Sequence, residues 1–424
     1  MAEIKKILIA NRGEIVQRAI RTIKEMGKKS VAVYSAGDKN ASYLKHADEA
    51  VCIGGAKSSE SYLNIPALIT AAEMTGCDAI FPGYGFLSEN QDFVEICKLH
   101  NIKFIGPSSE VMEKMADKSK AKEEMVRAGV PVVPGSKGAV RTLDEGKKIA
   151  REIGYPIMAK ASAGGGGRGM RLIKEEKDFD SQYLAASSEA LAAFGDGTMY
   201  LERFINNPRH IEVQVIGDSH GNAIHIGERD CSLQRRHQKV IEESPAILLN
   251  DETRAKLHEV AVKATKYLKY EGAGTFEFLA DDKQNIYFME MNTRLQVEHP
   301  VSEMVSGLDI IEWMIKVAEG EKLPPQESIR FRGHAIECRI TAEDPNNFLP
   351  CPGKITQWMV PGGRNVRVDS HIYTNYIVPP YYDSMIGKLI VWGRDRNKAI
   401  NIMKRALAEF EVEGIRTTIP FHQK

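Results

Sequence analysis

The 424-residue sequence lacks a surplus of charge of either sign, because 57 lysines and arginines are matched by 57 aspartates and glutamates. A protein that binds nucleic acid or an anionic membrane surface usually carries a basic surplus, so the balance argues against both classes. The sequence also lacks any run near the roughly 20 apolar residues that a membrane-spanning helix needs. Its N-terminus has two lysines before an apolar run that is too short for a signal peptide.

Cysteine is scarce, and the six cysteines are scattered without a C-x-x-C pair. In a chain of this length the pattern predicts reduced thiols rather than a disulfide framework or a zinc site. The length itself predicts two or three lobes, because a single compact core rarely grows to this size. Together these features predict a soluble, cytoplasmic α/β protein. The cysteines are Cys52, Cys77, Cys97, Cys231, Cys338 and Cys351.

The first third of the chain alternates strand-like and helix-like segments. Short apolar runs at residues 6–10 and 30–34 suit strands, and residues 14–26 between them have apolar side chains at helical spacing. Two further runs, at residues 79–81 and 104–105, suit additional strands. Strands separated by helices predict a parallel sheet with covering helices.

The pattern changes in the later parts of the chain. Residues 131–138 (PVVPGSKG) concentrate proline and glycine, which predicts a hinge or linker. A compact αβ unit follows, from about residue 143 to residue 202, and it contains the densest glycine run. Beyond residue 204 the segments are short and alternating, such as HIEVQVIGD and IYFMEMN, which predicts an antiparallel sheet.

The glycine run at residues 163–170 (AGGGGRGM) directly follows a strand-like segment. Consecutive glycines leave backbone N–H groups unobstructed, which suits a flap over phosphates, although a flexible surface loop has the same composition. The run is neither a Walker loop nor a GxGxxG turn. Lys160 lies four residues before the first glycine of GGGG in an apolar strand, where a lysine is costly to bury unless an anion meets it. Lys118, at a predicted helix start, reads on its own as a solvated lysine.

An acidic hairpin is the sharper signal. GTFEFLADDKQNIYFMEMN has two alternating runs around a polar turn, which predicts a β-hairpin. Glu277 lies in the first run, and Glu290 and Asn292 lie on one face of the second. Carboxylate and amide oxygens are the ligands that Mg²⁺ prefers beside nucleotide phosphates. The alternative is a pair of acids on a solvated strand face.

The next segment, TRLQVEHPVSEM, alternates Arg294, Gln296 and Glu298. An arginine can bind a small oxyanion with two hydrogen bonds, and a nearby glutamate can take a proton. A salt-bridged surface strand has the same pattern, so the alternatives stay open here.

An upstream basic segment, GERDCSLQRRHQKVIEES, offers Gln234, His237 and Lys239. A solvated charged face and a functional segment fit it equally well. Its Cys231 has no paired base in the sequence to activate it, which favours a buried packing role.

Eight sequence blocks, in collinear order along almost the whole chain, resemble the biotin carboxylase family. They are NRGEI (11–15), FPGYGFLSEN (81–90), GGGGRGM (164–170), NPRHIEVQV (207–215), ERDCSLQRRHQK (228–239), EMNTRLQVEHPVSEM (290–304), ECRITAEDP (337–345) and PPYYDSMIGKL (379–389).

The resemblance implies an α/β fold with a Rossmann-like N-terminal domain, an ATP-grasp lid and a β-rich C-terminal ATP-grasp domain. The implied boundaries are residues 1–115 for the N-terminal domain, 116–132 for a helical linker, 133–203 for the lid and 204–424 for the C-terminal domain.

The resemblance also implies the site residues, by their positions in the matching blocks. The nucleotide positions are Lys118, Lys160, Gly166, Gly167, Met170, Glu202, Arg203, Phe204, Ile205, His210, Gln234, His237, Glu277 and Glu290. The metal positions are Glu277, Glu290 and Asn292, for Mg²⁺ or Mn²⁺. The bicarbonate positions are Lys239, Arg294, Gln296, Val297 (through its backbone) and Glu298, with Glu298 as general base, and Arg339 is the biotin position.

The implied activity is the ATP- and bicarbonate-dependent carboxylation of biotin N1′, through carboxyphosphate, as the first half-reaction of acetyl-CoA carboxylase in fatty-acid synthesis. The biotin is expected on a separate carrier protein, because the chain has no Ala/Val-Met-Lys-Met motif and its nearest string, NIMKRAL (401–407), lies on an amphipathic helical pattern. The implied partners are the biotin carboxyl carrier protein and the carboxyltransferase, with this chain a homodimer.

Two departures from the family and three alternatives accompany this interpretation. Position 203 is Arg where Lys is more usual, and the sequence stops at GIRTTIPFHQK where family members usually continue, which predicts weak ATP binding in a truncated form. The alternatives are a subunit of pyruvate or another acyl-CoA carboxylase, an ATP-grasp ligase of the carbamoyl phosphate or purine type, and a nucleotide-binding module without catalysis.

Overall fold

The computed structural model describes residues 3–136, 138–140, 142–161, 169–236 and 238–424, without the side chains of Lys118, Ser119 and Phe194. The chain divides into two compact units. Unit 1 comprises Met1–Val130, Arg209–Phe278 and Glu290–Lys424, and unit 2 comprises Pro131–Pro208 and Leu279–Met289. In the described part of the chain, no helix is both long and apolar enough to cross a membrane.

The N-terminal part of unit 1 is a parallel sheet with helices, as its alternating segments predict. The strands, in chain order, are β1 (Lys6–Ile9), β2 (Lys29–Tyr34), β3 (Glu49–Cys52), β4 (Ala79–Phe81) and β5 (Lys103–Phe104), and the helices are α1 (Glu14–Glu25), α2 (Ile65–Met74), α3 (Gln91–Leu99), α4 (Ser109–Ala116) and α5 (Lys118–Arg127). The sheet order is β3-β2-β1-β4-β5, and each pair is parallel.

Helix α1 shows why this part folds as it does. Ile15, Ala19 and Ile23 recur every four residues and are fully buried, and each buried isoleucine contributes about 1.5–3 kcal/mol. Gly13 precedes the helix at a φ of 82°, a left-handed conformation that glycine adopts without steric cost. The turn places Glu14, the first helical residue, in the protein interior with 3% exposure.

Unit 2 is a small αβ unit around a three-stranded antiparallel sheet of order β7-β6-β8. Its elements are α6 (Leu143–Ile153), β6 (Ile157–Ala161), β7 (Met170–Ile173), α7 (Phe179–Phe194) and β8 (Met199–Arg203). Phe179 and Tyr183 of α7 stack on each other in its core, with ring centroids 5.4 Å apart.

The large sheet after residue 208 confirms the antiparallel prediction. Its strands are β9 (Arg209–Gly217), β10 (Ala223–Arg235), β11 (Gln238–Ser244), β12 (Gly272–Ala280), β13 (Ile286–Asn292), β14 (His334–Thr341), β17 (Val366–Asp369) and β19 (Met385–Gly393), in the order β13-β12-β9-β10-β11-β14-β19-β17. Short strands complete the region: β15 (Gly353–Lys354), β16 (Gln357–Met359), β18 (Ile377–Val378) and β20 (Glu411–Glu413). The helices are α8 (Asp251–Tyr267), α9 (His299–Ser306), α10 (Ile310–Ala318), α11 (Arg396–Glu409) and α12 (Ile419–His422).

Two predictions about particular segments hold in this region. The acidic hairpin forms from the neighbouring strands β12 and β13. The NIMKRAL string lies in α11, where Ile402, Met403 and Ala406 are buried, so its methionine and lysine belong to a packed helix.

Candidate active site

Lys239, near the start of β11, lies at the centre of the candidate site. Its ammonium group donates hydrogen bonds to Glu298 Oε1 (2.7 Å), to Glu277 Oε1 (2.9 Å) and to Glu212. The Lys239 side chain is 14% exposed, and those of its three partners are exposed by 6% or less. Burial acts to lower the pKa of Lys239, but Glu212 and Glu298 raise it well above its ordinary value. Lys239 is therefore a permanent cation among three buried carboxylates.

His210 supplies a second cation from strand β9, which β10 separates from β11. Its Nε2 lies 2.9 Å from Glu277 Oε2 and 3.1 Å from Glu212 Oε1. Burial acts to lower the pKa of His210, but the hydrogen bonds to these carboxylates raise it to about 9, so the ring is charged at neutral pH. Burial likewise acts to raise the pKa of Glu277, and His210 and Lys239 bring it down to about 2.

Arg229 of β10 donates hydrogen bonds to several side chains of this cluster and of the strands around it. Its side chain is fully buried. A guanidinium can be buried inside the sheet because each of its nitrogens donates to an acceptor. It donates to Gln296 Oε1 (2.6 Å), Gln214 Oε1 (2.7 Å), Glu212 Oε2 (3.1 Å), Ser302 Oγ (3.1 Å) and Thr275 Oγ1 (3.1 Å).

Glu298 connects Lys239 to Arg339. It is the residue before α9, yet its side chain makes no capping hydrogen bond and accepts 2.9 Å from Arg339 Nη2 instead. Burial acts to raise the pKa of Glu298, but Lys239 and Arg339 outweigh it and hold the pKa below its ordinary value. Glu298 is therefore ionised at neutral pH, the state that a general base requires.

The predicted metal positions fit Mg²⁺ by their chemistry. Asn292 donates from Nδ2 to Glu277 Oε1 (2.7 Å), and Glu290 lies two residues before Asn292 on the same strand. All three offer oxygen ligands, and the low pKa of Glu277 keeps it ionised. His210, Glu212 and Glu277 also have ligand atoms within 4.8 Å of one another. Within that group both carboxylates are paired with His210 and with the Lys239 ammonium.

Arg294 pairs with other groups than Lys239 and Glu298, although all three are predicted bicarbonate positions. Its Nε donates to Glu89 Oε2 (2.8 Å) and its Nη2 to Asn292 Oδ1 (2.9 Å). Glu89 also accepts from the backbone N–H of Thr293 (3.0 Å), so it binds both Thr293 and Arg294. The pairing turns the guanidinium of Arg294 toward Glu89.

The remaining predicted residues of unit 1 surround the cluster. Gln296 is 3% exposed and donates to Glu277 Oε1 (2.8 Å). The carbonyl of Val297 accepts a hydrogen bond from the fully buried Lys388 (2.8 Å), which fixes the position of the Val297 backbone. Gln234 is the cross-strand partner of Lys239 and donates to the Cys231 carbonyl (2.9 Å).

In unit 2, the predicted nucleotide residues gather on the three-stranded sheet. Lys160 of β6 donates to Glu202 Oε2 of β8 at 2.5 Å. Met170 is the first residue of β7 and the register partner of Lys160. Arg203, the departure from the family pattern, donates from Nη2 to the Ile153 carbonyl (2.8 Å). The Arg203 side chain therefore has a structural partner in the Ile153 carbonyl. A lysine at this position would have a single ammonium group in place of the several donors of the guanidinium.

The last of these residues follow β8. The Phe204 N–H donates to the Pro156 carbonyl (3.0 Å), and Ile205 is buried beside Val133 and Tyr287. Gly166, Gly167 and His237 lie outside the described residues, and Lys118 begins α5 with a side chain that is likewise outside them.

Sequence reasoning missed Glu212, Arg229 and Glu242. A usable signal was present, because His210, Glu212 and Gln214 alternate along β9 and all point to the same face. Arg229 stands in a charged triplet inside β10, a strand whose first nine residues are mostly buried. A run of charges inside a buried strand indicates an internal ion-pair network, and the sequence alone did not reveal its partners.

Three family models match the chain. The biotin carboxylase N-terminal domain matches residues 3–112, the ATP-binding domain of the carbamoyl-phosphate synthase L chain matches residues 117–326, and the biotin carboxylase C-terminal domain matches residues 337–424.

Known proteins match over nearly the whole chain. A biotin carboxylase of Nostoc sp. is 57% identical over 421 residues, which cover 99% of this chain and 94% of the relative. A crystal structure of a biotin carboxylase–beta-gamma-ATP complex from Campylobacter jejuni matches with a TM-score of 0.92 and 69% identity, covering 99% of this chain and 94% of that one. The biotin carboxylase domain dimer of the Hydrogenobacter thermophilus 2-oxoglutarate carboxylase, in complex with MgADP, ADP and bicarbonate, matches with a TM-score of 0.90 and 50% identity, covering 100% of this chain and 94% of that one.

Proposed function

The chain belongs to the biotin carboxylase family, and from that premise we propose that it carboxylates biotin N1′ with ATP and bicarbonate, through carboxyphosphate. The observation that carries the proposal is the buried line Lys239–Glu298–Arg339, with contacts of 2.7 and 2.9 Å. It places an ionised carboxylate, which can accept a proton, beside two permanent cations, which can stabilise the anion that forms.

Bicarbonate is a poor nucleophile, and the ionised Glu298 is the group that takes its proton. Lys239 and Arg294 then hold the dianion that results, because a positive charge beside a developing negative one lowers the barrier. Arg294 is proposed to exchange its hydrogen bond to Glu89 for hydrogen bonds to the substrate. The dianion attacks the γ-phosphate of ATP, which forms carboxyphosphate and releases ADP.

We propose separate groups of residues for the nucleotide phosphates and for Mg²⁺. Lys160 is the cation proposed for the phosphates, and Glu277, Glu290 and Asn292 are proposed to hold Mg²⁺. Mg²⁺ supplies neutralisation of the phosphate oxygens when bound. Use of Mn²⁺ in its place is part of the proposal. Use of ATP and Mg²⁺ agrees with the relatives crystallised with beta-gamma-ATP and MgADP.

Carboxyphosphate breaks down to CO₂ and phosphate in the second stage. The phosphate takes the proton of biotin N1′, and N1′ attacks CO₂. Arg339 is proposed to stabilise the negative charge on the ureido oxygen of biotin. Burial acts to lower the pKa of Arg339, but Glu242 and Glu298 raise it above its ordinary value, so the guanidinium stays charged.

The biotin is proposed to arrive on a separate carrier protein, with a carboxyltransferase as the next partner and a homodimer as the assembly. The proposed setting is acetyl-CoA carboxylase in the cytoplasm. A keto-acid carboxylase such as pyruvate carboxylase is the second candidate, because one matched structure belongs to a 2-oxoglutarate carboxylase. The comparisons give no support to a nucleotide-binding module without catalysis.

The decisive experiment measures phosphate release from MgATP with and without bicarbonate and free biotin. We expect release to require bicarbonate and to rise with biotin. Glu298→Gln should lose it by about a hundredfold or more, the size of a general-base contribution. Arg339→Ala should lose chiefly the response to biotin. Glu243→Gln is the matched control, because Glu243 pairs with His334 (2.7 Å) and Arg396 (2.6 Å) rather than with Arg339 or Glu298.

Two results would contradict the proposal. Absence of any biotin response in the wild-type chain would reject biotin as substrate, and turnover with an amine or purine would favour the other ATP-grasp ligases. The carboxyl acceptor is tested separately, by adding purified carrier and carboxyltransferase pairs that are specific for acetyl-CoA or for pyruvate.

A further inference from the structure

Four charged side chains lie side by side in the sheet behind the proposed biotin position. Glu242 of β11 is the cross-strand partner of Glu337 of β14, and Arg339 of β14 is the partner of Lys388 of β19. Residues two apart on a strand share a face, so these four form a staggered row across the three neighbouring strands β11, β14 and β19. Glu242, Glu337 and Lys388 are fully buried.

Glu242 holds Arg339 from behind. Arg339 donates from Nε to Glu242 Oε1 (2.6 Å) and from Nη2 to Glu298 Oε2 (2.9 Å). Two acceptors on different edges of a planar guanidinium fix its orientation. Glu242 therefore determines how Arg339 faces the substrate, although it does not belong to the predicted site.

Glu337 needs a proton. Among the described residues, both of its buried carboxyl oxygens lack a hydrogen-bond partner, and so does Glu242 Oε2. Lys388 does not satisfy them, because its ammonium binds the Val297 carbonyl (2.8 Å) and Glu14 Oε1 (3.0 Å). Two carboxyl groups at directly opposed positions, both out of water, cannot both ionise without a large cost.

We propose that Glu242 and Glu337 share one proton with divided roles: Glu337 carries it and donates it to Glu242 Oε2, and Glu242 keeps the negative charge that positions Arg339 for biotin. The proposal rests on the function proposed above, because it is there that Arg339 meets the ureido oxygen. Glu242 is a positioning residue, since it acts through Arg339 and touches no substrate.

The electrostatic surroundings agree with this division. Burial raises the pKa of Glu337 well above its ordinary value, Lys388 opposes the rise, and Glu242 adds to it. Burial also raises the pKa of Glu242, and Glu298 adds to the rise. Arg339 and Lys239 oppose it, so the pKa of Glu242 reaches only about 7. Glu337 is therefore the first of the pair to take a proton. Glu242 takes a second one only below neutral pH, where the hold on Arg339 weakens.

The kinetic test compares isosteric substitutions at the two positions. Glu242→Gln should raise the KM for biotin by about tenfold or more, the size expected when a charge-assisted hydrogen bond is lost, with little change in the KM for ATP. Glu337→Gln should stay close to the wild type, because its amide N–H replaces the shared proton, whereas Glu337→Leu, which cannot donate, should behave like Glu242→Gln. In the wild type the KM for biotin should rise as the pH falls below 7, and Glu242→Gln should lose this dependence. Glu243→Gln again serves as the control on the same strand.

A spectroscopic test keeps the proposal separate from the function it rests on. Infrared spectroscopy of the whole protein should show the carbonyl band of a buried protonated carboxyl group, which Glu337→Gln removes and Glu243→Gln keeps. If that band is unaffected by Glu337→Gln, or if Glu337→Gln raises the KM for biotin as much as Glu242→Gln, the shared proton is rejected. Loss of biotin-dependent turnover in the wild type would reject the proposed function, while the infrared result would still decide the proton.

Discussion

Arg229 is fully buried and is not among the predicted site residues, yet it donates hydrogen bonds to five side chains. Arg229→Lys keeps the charge but replaces a planar fork by a single ammonium, which cannot reach all the acceptors on β9, β12, α9 and the loop before α9. We expect the free energy of unfolding to fall by about 3 kcal/mol or more, because buried partners are left without donors. We also expect bicarbonate-dependent phosphate release to fall, since Gln296 and Glu212 lose their anchor.

The measurement is a urea titration together with the phosphate-release assay. Lys29→Arg is a suitable control, because Lys29 pairs with Asp48 on the surface and its side chain is 66% exposed. Unchanged stability in Arg229→Lys would contradict the role assigned to Arg229.

At this scale the sequence indicates which residues take part but not how they pair. Lys239, Glu298 and Arg339 come from distant segments, and the structure brings them into one line. The sequence could not show that Arg294 turns toward Glu89, some 200 residues earlier, because such a pairing depends on how separate segments pack. Glu212 was missed for the same reason: a glutamate in an alternating strand usually faces water, and only the buried Arg229 beside it shows otherwise.

At the scale of elements, helix α11 begins at a single capping residue. Asp395 accepts a hydrogen bond from the Lys398 backbone N–H (2.8 Å), which satisfies one of the free donors at the helix N-terminus. Asp395→Ala should lower the free energy of unfolding by about 1 kcal/mol, and Asp395→Asn by only a few tenths, since asparagine caps equally well. Denaturant unfolding of the two variants in parallel distinguishes the cap from the exposed ion pair with Arg394, because both variants lose that pair.

Elements with a clean pattern were predictable, and elements without one were not. The hairpin of β12 and β13 follows from two alternating runs around a polar turn. Strand β3 was missed because its sequence, EAVC, is short and largely exposed, so it has neither alternation nor an apolar run. The start of α9 was also not predicted. Its first flanking residue, Glu298, makes no capping hydrogen bond with its side chain, so the sequence carries no capping signal there.

For the molecule as a whole, buried neutral histidines predict acid sensitivity. Burial lowers the pKa values of His225, His299 and His371 to about 3 in each case. In the unfolded chain each titrates near its ordinary value of about 6.5, so the unfolded state binds more protons between that pH and 3. The contribution of these three histidines to stability therefore falls as the pH drops through this window.

These three histidines together should lower the free energy of unfolding by roughly 3 to 4 kcal/mol from pH 6 to pH 5, about 1.4 kcal/mol for each fully protonated histidine. Glu242 and Glu337, whose pKa values are raised by burial, oppose part of this fall. Urea titrations at several pH values measure it. His371→Gln should make the fall between pH 6 and pH 5 smaller than in the wild type by about 1 kcal/mol, with the stability of each protein at pH 8 as its reference. An equal fall in the wild type and in His371→Gln would contradict the prediction.

The division of the chain was the hardest large-scale feature to predict. A sequence shows linear segments, whereas unit 2 includes the distant stretch Leu279–Met289. The physical reason is a small apolar cluster of Val133, Ile205, Tyr287 and Leu279, which joins residues more than 140 positions apart. Nothing in the pattern of the hairpin indicates that its tip packs with an earlier part of the chain.

The register of β11 has a consequence for how this protein can vary. Glu242 and Glu243 are chemically identical neighbours, but one faces Arg339 and the other faces His334 and Arg396. A single inserted or deleted residue would exchange their faces and carry Lys239 to the wrong side of the sheet. Changes in length are therefore confined to the turns, such as the one between Asp281 and Asn285. Across descendants of this sequence, the strands of the site can change residue by residue, and only the turns can change in length.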